Sequence, residues 1–241
     1  MLAKQTNYSQ YCFMSNNGQG KEFVTFSEGS FSWQYLERPT IDLYLGEIYG
    51  QNPRVLDAGC GAGRVTGHLI DSGMHAENIY GIDIDRGMVE SYANNYPTAT
   101  VFQGRVSKLP FQADSFDLIV SNMLLHQMDD TDLKKFIEES SRVLTSEGIL
   151  FIIDSNPYSS EDRVANMGKW ITQKTPWGTE IQAYIHDLKG LLNSRLLGEV
   201  GLSLVVQSEP KVEKSGYQAD PAEYARYSRS NFRFAAKLKK A

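Results

Sequence analysis

Five short apolar runs, at 54–57, 79–83, 100–103, 116–121 and 149–154, follow one another along this chain with amphipathic stretches between them. The runs are rich in Val, Ile and Leu, as strands covered on both faces are. The stretches at 64–72, 86–95 and 130–144 have helical spacing. In the last of them Leu133, Phe136, Ile137, Ser140 and Leu144 share one face. Asp85 stands where the second helix needs an N-cap. Strands joined through helices become parallel neighbours with right-handed crossovers. The sequence therefore predicts a doubly wound α/β sheet. A further helix at 187–199, with Leu188, Leu191, Leu192 and Leu196 on one face, leads to a sixth strand at 202–207. At 232–239, Phe232, Phe234, Ala236 and Leu238 alternate with Arg233, Ala235, Lys237 and Lys239. That period of two with one wet face predicts an antiparallel strand.

A chain of 241 residues suits a single large α/β domain. It divides into an N-terminal helical cap (1–50), a cofactor-binding core (51–154), an insertion or lid with a helix (155–200) and C-terminal strands (201–241). The cap is aromatic, with Tyr8, Tyr11, Phe13, Phe23, Phe26, Phe31, Trp33, Tyr35, Tyr44 and Tyr49. The excursion at 155–186, with Tyr158, Trp170, Trp177 and Tyr184, is longer than a compact α/β connection and predicts a lid or binding loop. Either aromatic set is equally suited to line a pocket or to add core.

A net charge of -5 argues against free nucleic acid as the main partner. Arg226, Arg229, Arg233, Lys237, Lys239 and Lys240 gather near the C-terminus, and their alternation with apolar residues reads as a solvated edge strand. No apolar run approaches the ~20 residues of a membrane helix, and the polar start lacks a secretory core. The expectation is a cytoplasmic protein without a membrane span. Two cysteines, Cys12 and Cys60, support neither a disulfide framework nor a metal site.

The first strand runs into Gly59-Cys60-Gly61-Ala62-Gly63, and a helix begins at Arg64. Glycine allows tight turning and close backbone approach. A helix start also offers unpaired amides to an anionic group. A dinucleotide fingerprint needs a third glycine three positions after the second. That position holds Arg64 or Thr66, depending on the pair counted. Asp57 beside the loop would repel a diphosphate, but it suits a ligand bearing an amino group and a sulfonium. Asp83 ends the second strand, where a carboxylate accepts from both ribose hydroxyls. Ile84 follows it and suits an adenine face.

Residues 55–66 resemble the first motif of class I S-adenosylmethionine-dependent methyltransferases, and Gly81-Ile82-Asp83-Ile84-Asp85 resembles their second-strand motif. Lys108-Leu109-Pro110-Phe111 with 114–122 is similar to the approach to their fourth strand. Arg142-Val143-Leu144 and Gly148-Ile149-Leu150-Phe151 are similar to the approach to the fifth. The four motifs span about 50–155 in the family's order, and the similarity is nearest to the small-molecule branch that includes quinone and natural-product enzymes.

The resemblance implies a Rossmann-like, seven-stranded, mostly parallel sheet with an antiparallel C-terminal strand. It implies a transferase of the EC 2.1.1 class that uses S-adenosylmethionine and releases S-adenosylhomocysteine. Gly59, Cys60, Gly61 and Gly63 would border the methionine moiety, with Asp57 orienting its amino group. Asp83 would hold the ribose, and Ile84 and Met88 would meet adenine. Ser121 and Asn122 would approach the methionine end. One departure stands out: many relatives carry an acidic residue after Gly104 and this chain has Arg105, which leaves adenine to the backbone of Val106.

Methyl transfer needs alignment and exclusion of water, with a general base only where the acceptor loses a proton. His126, just past the fourth strand, is the first candidate base, and His186, near the insertion, the second. His68 and His75 read as structural, and Cys60 as a small packing residue. The Asn156-Pro157-Tyr158 run resembles an amino-methylating motif of nucleic-acid enzymes but follows the fifth strand instead of the fourth. The expected partner is a small-molecule methyl acceptor. A protein or tRNA methyltransferase, or a non-methylating cofactor binder of the same fold, are the competing readings.

Overall fold

The computed structural model describes residues 29–174, 180–192 and 195–241. Tyr8, Tyr11, Cys12, Phe13, Phe23, Phe26 and Trp177 lie outside the described residues. A π-helical turn, Trp33–Glu37, runs directly into α1 (Arg38–Tyr49). The core follows as β1 (Val55–Ala58), α2 (Arg64–Asp71), β2 (Ile79–Asp83), α3 (Arg86–Asn95), β3 (Thr100–Gln103), β4 (Phe116–Asn122), α4 (Asp130–Val143) and β5 (Leu144–Ser155). The excursion contains α5 (Glu161–Ala165) and a hairpin of β6 (Trp170–Lys174) and β7 (Glu180–Tyr184). Then come α6 (Leu188–Leu192), α7 (Arg195–Glu199), β8 (Leu202–Ser208), α8 (Gly216–Ala219), α9 (Pro221–Arg229) and β9 (Arg233–Lys240).

The main sheet has seven strands in the order β3-β2-β1-β4-β5-β9-β8. The first five are parallel, and β9 runs antiparallel to both β5 and β8. The predicted fold class is therefore the observed one. On one face, Ile41, Leu45 and Ile48 of α1 and Val65 and Leu69 of α2 pack on Val55, Ile79, Leu118, Val120 and Phe151. On the other, Leu133, Phe136 and Ile137 of α4 with Leu188, Leu192 and Leu197 pack on Leu56, Ile119, Leu150 and Leu238. Helices on both faces make the central strands uniformly apolar.

Several details differ from expectation. β3 is largely exposed because it forms one edge of the sheet. Helix α4 ends one residue early, and β5 begins at once, five residues sooner than the apolar run suggested. The basic C-terminal residues do not form an edge strand. Arg226 and Arg229 lie on α9, and β9 sits inside the sheet with β8 as the edge. The lysines are accommodated because their long stems carry the charge past the sheet layers. Lys237 reaches Glu47 at 3.1 Å, Lys240 reaches Asp114 at 2.8 Å, and Lys239 pairs with Glu147.

A buried charge cluster ties the N-terminal turn to the sheet. Glu37, 1% exposed, receives Arg233 at 2.5 Å and faces Arg64 at 3.5 Å. Two cations hold its carboxyl below the ordinary range against the opposing effect of burial. Among the helix caps, Asp129 accepts from the amides of Thr131 and Asp132, both at 3.0 Å. Asp129→Ala is expected to cost about 1 kcal/mol and to lower the melting temperature by about 2–4 °C. Thermal unfolding followed by circular dichroism checks it, and an unchanged midpoint would show that water caps the helix equally well.

Candidate cofactor and acceptor site

The loop after β1 turns through Gly59, Gly61 and Gly63, at φ of 72°, 53° and 95°, a region in which glycine is unstrained. A Cβ on Gly59 would stand 2.6 Å from Leu124, whereas one on Gly61 would meet nothing within 4 Å. The loop is thus closed on the Gly59 side and open at Gly61. Its amides are turned onto the protein itself. Gly59 and Cys60 donate to the Ile82 carbonyl at 2.9 and 3.0 Å, Gly61 to Asp83 Oδ2 at 2.9 Å, and Gly63 to the Cys60 carbonyl at 2.9 Å. These four groups offer no amide cradle to a diphosphate. The expectation of unpaired amides at this turn is corrected to that extent, because β2 and Asp83 are close enough to take them. Cys60 is buried, and burial with the nearby Asp57 and Asp83 charges pushes its thiol well up, so it packs as a neutral group.

Two carboxylates end adjacent strands, with Asp57 in register with Gly81 of β2, two residues before Asp83. Asp57 is buried, and its Oδ2 accepts from the Thr66 amide at 3.2 Å and the Thr66 hydroxyl at 2.8 Å. Since that hydroxyl proton is committed, Tyr92 donates to Thr66 Oγ1 across 3.0 Å. Burial pushes the Asp57 pKa up to about 7, opposed by the Thr66 bonds and reinforced by Asp83. Asp83 accepts from Gly61 at one oxygen and from the Asp85 amide at the other, 2.9 Å each. Burial raises its pKa too. Two costly carboxylates beside one open glycine make a place that gains from a cation and loses from an anion.

Around them, Ile84 remains 41% exposed beyond β2, an apolar face left open next to a carboxylate. Met88 is buried under the N-cap formed when Asp85 accepts its amide at 3.0 Å. Gly104 donates to the Asp83 carbonyl at 2.9 Å, and Lys108 closes a turn on the Arg105 carbonyl at 3.1 Å. The half-buried Val106 is thereby held in the segment next to Asp83. At the end of β4, Ser121 Oγ and Asn122 Oδ1 are buried without a hydrogen-bond partner.

His126 lies on a short turn, Leu125–Gln127, beyond β4. Its Nδ1 is 2.8 Å from Asp154 Oδ1. Asp154 ends β5 and also accepts from the amides of Leu125 and Ser155, each at 2.6 Å. Burial alone would raise its pKa, but His126 and these amides hold it below the ordinary carboxylate value. Asp154 was not singled out from the sequence. The available signal was its position, a carboxylate at or one residue short of a strand's end, as Asp83 and Asp57 are. His186 is placed differently. Its Nδ1 faces Asp130 Oδ1 at 2.7 Å and its Nε2 faces the Leu125 carbonyl at 2.9 Å. Both nitrogens face protein oxygens at hydrogen-bond distance, so the ring is tied into the fold on both sides. With Tyr184 donating to Asp130 at 2.9 Å, His186 ties the hairpin to α4 and to the His126 turn. Asn156 is likewise structural: it donates to the Asn231 carbonyl at 2.7 Å and accepts from the Tyr158 amide at 2.9 Å.

Comparison with known proteins bears on the same region. Residues 56–152 match the family model described as "Methyltransferase domain". An uncharacterized methyltransferase of Synechocystis is 35% identical over 101 residues, 42% of this chain and 46% of that protein. A phosphoethanolamine N-methyltransferase of Triticum aestivum is 30% identical over 131 residues, 52% of this chain and 25% of that protein. The chain thus spans less than half the length of these curated relatives. Among solved structures, magnesium protoporphyrin IX methyltransferase from Synechocystis with bound SAH superposes with a TM-score of 0.62 at 14% identity, covering 95% of this chain and 96% of that one. At that identity the likeness speaks to the fold alone.

Proposed function

We propose that this chain, whose residues 56–152 match the family model described as "Methyltransferase domain", transfers a methyl group from S-adenosylmethionine to a small-molecule acceptor through nitrogen, oxygen or carbon. One observation supports the cofactor reading: a buried carboxylate, Asp57, and a half-buried one, Asp83, flank a glycine turn whose amides are already bonded. That arrangement suits an amino-acid sulfonium with a ribose and repels a diphosphate. Asp57 holds the amino group, and Asp83 keeps lone pairs for the ribose hydroxyls. Gly59, Gly61 and Gly63 line the methionine path, and Ser121 Oγ and Asn122 Oδ1 meet its end. Ile84, Met88 and the Val106 backbone take the adenine side.

When bound, the cofactor supplies a methyl carbon already activated for in-line displacement. The chain's own task is to align the acceptor and keep water out. The His126–Asp154 pair supplies a base: the Asp154 contact fixes a proton on Nδ1 and leaves Nε2 to accept one from the acceptor. The insertion from 155, docked through His186 and Tyr184, serves as the lid. A small acceptor is favoured by the acidic net charge and by the pairing of Lys237, Lys239 and Lys240 with carboxylates. The names of the wheat relative and of the protoporphyrin enzyme also point to small-molecule acceptors.

Calorimetric titration is expected to give micromolar dissociation constants for S-adenosylmethionine and S-adenosylhomocysteine. Heat with neither ligand counts against the reading. Methyl label supplied with cell extract is expected in the small-molecule fraction, and label confined to protein or RNA would move the assignment to a macromolecular acceptor.

A further inference from the structure

The Tyr92 side chain of α3 is fully buried. A phenylalanine would fill the same space, so packing does not account for the hydroxyl, which costs free energy in the interior unless it is bonded. Two glycines make room for the ring. A Cβ on Gly63 would stand 2.9 Å from Tyr92 Cδ2, and one on Gly81 would stand 2.8 Å from Cε2. The ring held there brings its hydroxyl to Thr66 Oγ1 on α2 at 3.0 Å. Thr66 in turn reaches Asp57 Oδ2 on β1, through its hydroxyl at 2.8 Å and its amide at 3.2 Å. Three elements of the fold thus meet in one relay of hydrogen bonds that ends on a buried carboxylate.

The relay has a single polarity when Asp57 is ionised. A carboxylate only accepts, so the Thr66 hydroxyl donates to it and Tyr92 donates to Thr66. Burial, reinforced by the Asp57 charge, raises the Tyr92 pKa and keeps the phenol a donor. Hydrogen bonds in series polarise one another, so the outer donor strengthens the inner one. All of this acts on Oδ2, and among the described residues no hydrogen bond reaches Oδ1. We propose that Tyr92 is a positioning residue for the cofactor's amino group: through Thr66 it fixes the Asp57 carboxylate by Oδ2 and leaves Oδ1 to the ammonium. This rests on the reading of Asp57 as the amino-group partner and adds to it a residue that acts without touching the ligand.

Tyr92→Phe removes one oxygen and keeps the ring. The other ionisable groups around Asp57, which are Asp83 of β2, Arg64 of α2 and the Cys60 thiol, are untouched by it. Calorimetric titration with S-adenosylhomocysteine across pH is expected to show the acid limb of the affinity moved up by about half a pH unit. That is about threefold weaker binding on the acid side, with the two proteins converging as pH rises. The ligand-free protein gives a second readout. The Asp57 pKa is raised to about 7, so wild-type stability falls with rising pH until about that value, and in Tyr92→Phe the fall is expected to continue about half a unit further. Thr66→Val cuts the relay at its centre and is expected to move both midpoints by about one unit, tenfold in affinity. Thr66→Ser keeps the hydroxyl and is expected to leave them at the wild-type positions. In an Asp57→Asn background, Tyr92→Phe is expected to move neither. Unmoved midpoints in Tyr92→Phe, or an affinity loss of equal size at every pH, overturn the proposal and leave Tyr92 a packing residue. Absence of any S-adenosylhomocysteine response in the wild type speaks instead against the cofactor reading, and the ligand-free stability profile still judges the relay.

Discussion

Asp57→Asn is expected to make the ligand-free protein more stable at pH 8 and, in the same stroke, to weaken S-adenosylhomocysteine binding by about 100-fold or more, the cost of removing one partner of a buried charge pair. The stability half follows from linkage. Burial raises the Asp57 pKa from 3.8 to about 7. Between those values the folded state holds a proton that the unfolded state has released, so stability falls as pH rises through the window and the loss is complete above about pH 7. About three pKa units correspond to an upper bound of roughly 4 kcal/mol. Even half of that is about 5 °C in melting temperature for a domain of this size. Asparagine keeps the local geometry, because both Thr66 bonds end on a single oxygen, Oδ2, that the amide oxygen replaces. The gain should therefore be large at pH 8 and vanish near pH 4. The binding half has the same origin: the wild-type carboxyl must shed its proton to receive the ligand's amino group. Affinity is expected to fall toward tenfold per pH unit below about 7 and to be flat in the variant. Calorimetry and thermal unfolding across pH decide it. A variant that binds as tightly as wild type would remove Asp57 from the amino-group site.

The carboxylate-and-glycine part of the candidate site was legible as a cluster in the sequence because it is local. Asp57, the three glycines and Arg64 lie in one turn between a strand and a helix, and Asp83 is brought beside them by the parallel register of β1 and β2. Parallel pairing makes the two loops neighbours whenever the strands are recognised. The His126–Asp154 part is not local. Asp154 reaches His126 across 28 residues, and Arg233 reaches Glu37 across 196. No periodicity links such positions. The C-terminal strand shows the same limit from another side. Its alternation correctly indicated an antiparallel strand, but place in the sheet depends on the partner, and β8 took the edge that the lysines suggested for β9. His186 was picked out by residue type and by its nearness to the insertion. Only the fold shows both of its nitrogens engaged, by a helix N-terminal aspartate and a backbone carbonyl.

Replacing His126 by Asn is expected to slow methyl transfer by about 10²–10⁴-fold, the usual contribution of a positioned general base, with S-adenosylhomocysteine affinity little changed. The argument rests on the polarity of the His126–Asp154 contact. Asp154 is held ionised by the histidine and by the amides of Leu125 and Ser155, so it can only accept, and Nδ1 must donate. That fixes the tautomer and makes Nε2 the basic nitrogen. It also steadies the imidazolium formed when a proton is taken. Asp154→Asn keeps the shape and the amide contacts but removes the charge, so it should lower the rate in the same direction, whereas a purely structural histidine would respond mainly through stability. The measurement is single-turnover transfer of labelled methyl into the small-molecule fraction of extract, set beside the melting temperature of each variant. Both variants are expected to lose rate by more than their change in stability accounts for. If both keep the wild-type rate, the acceptor has no proton to surrender, and the pair serves to hold the β4 and β5 ends together.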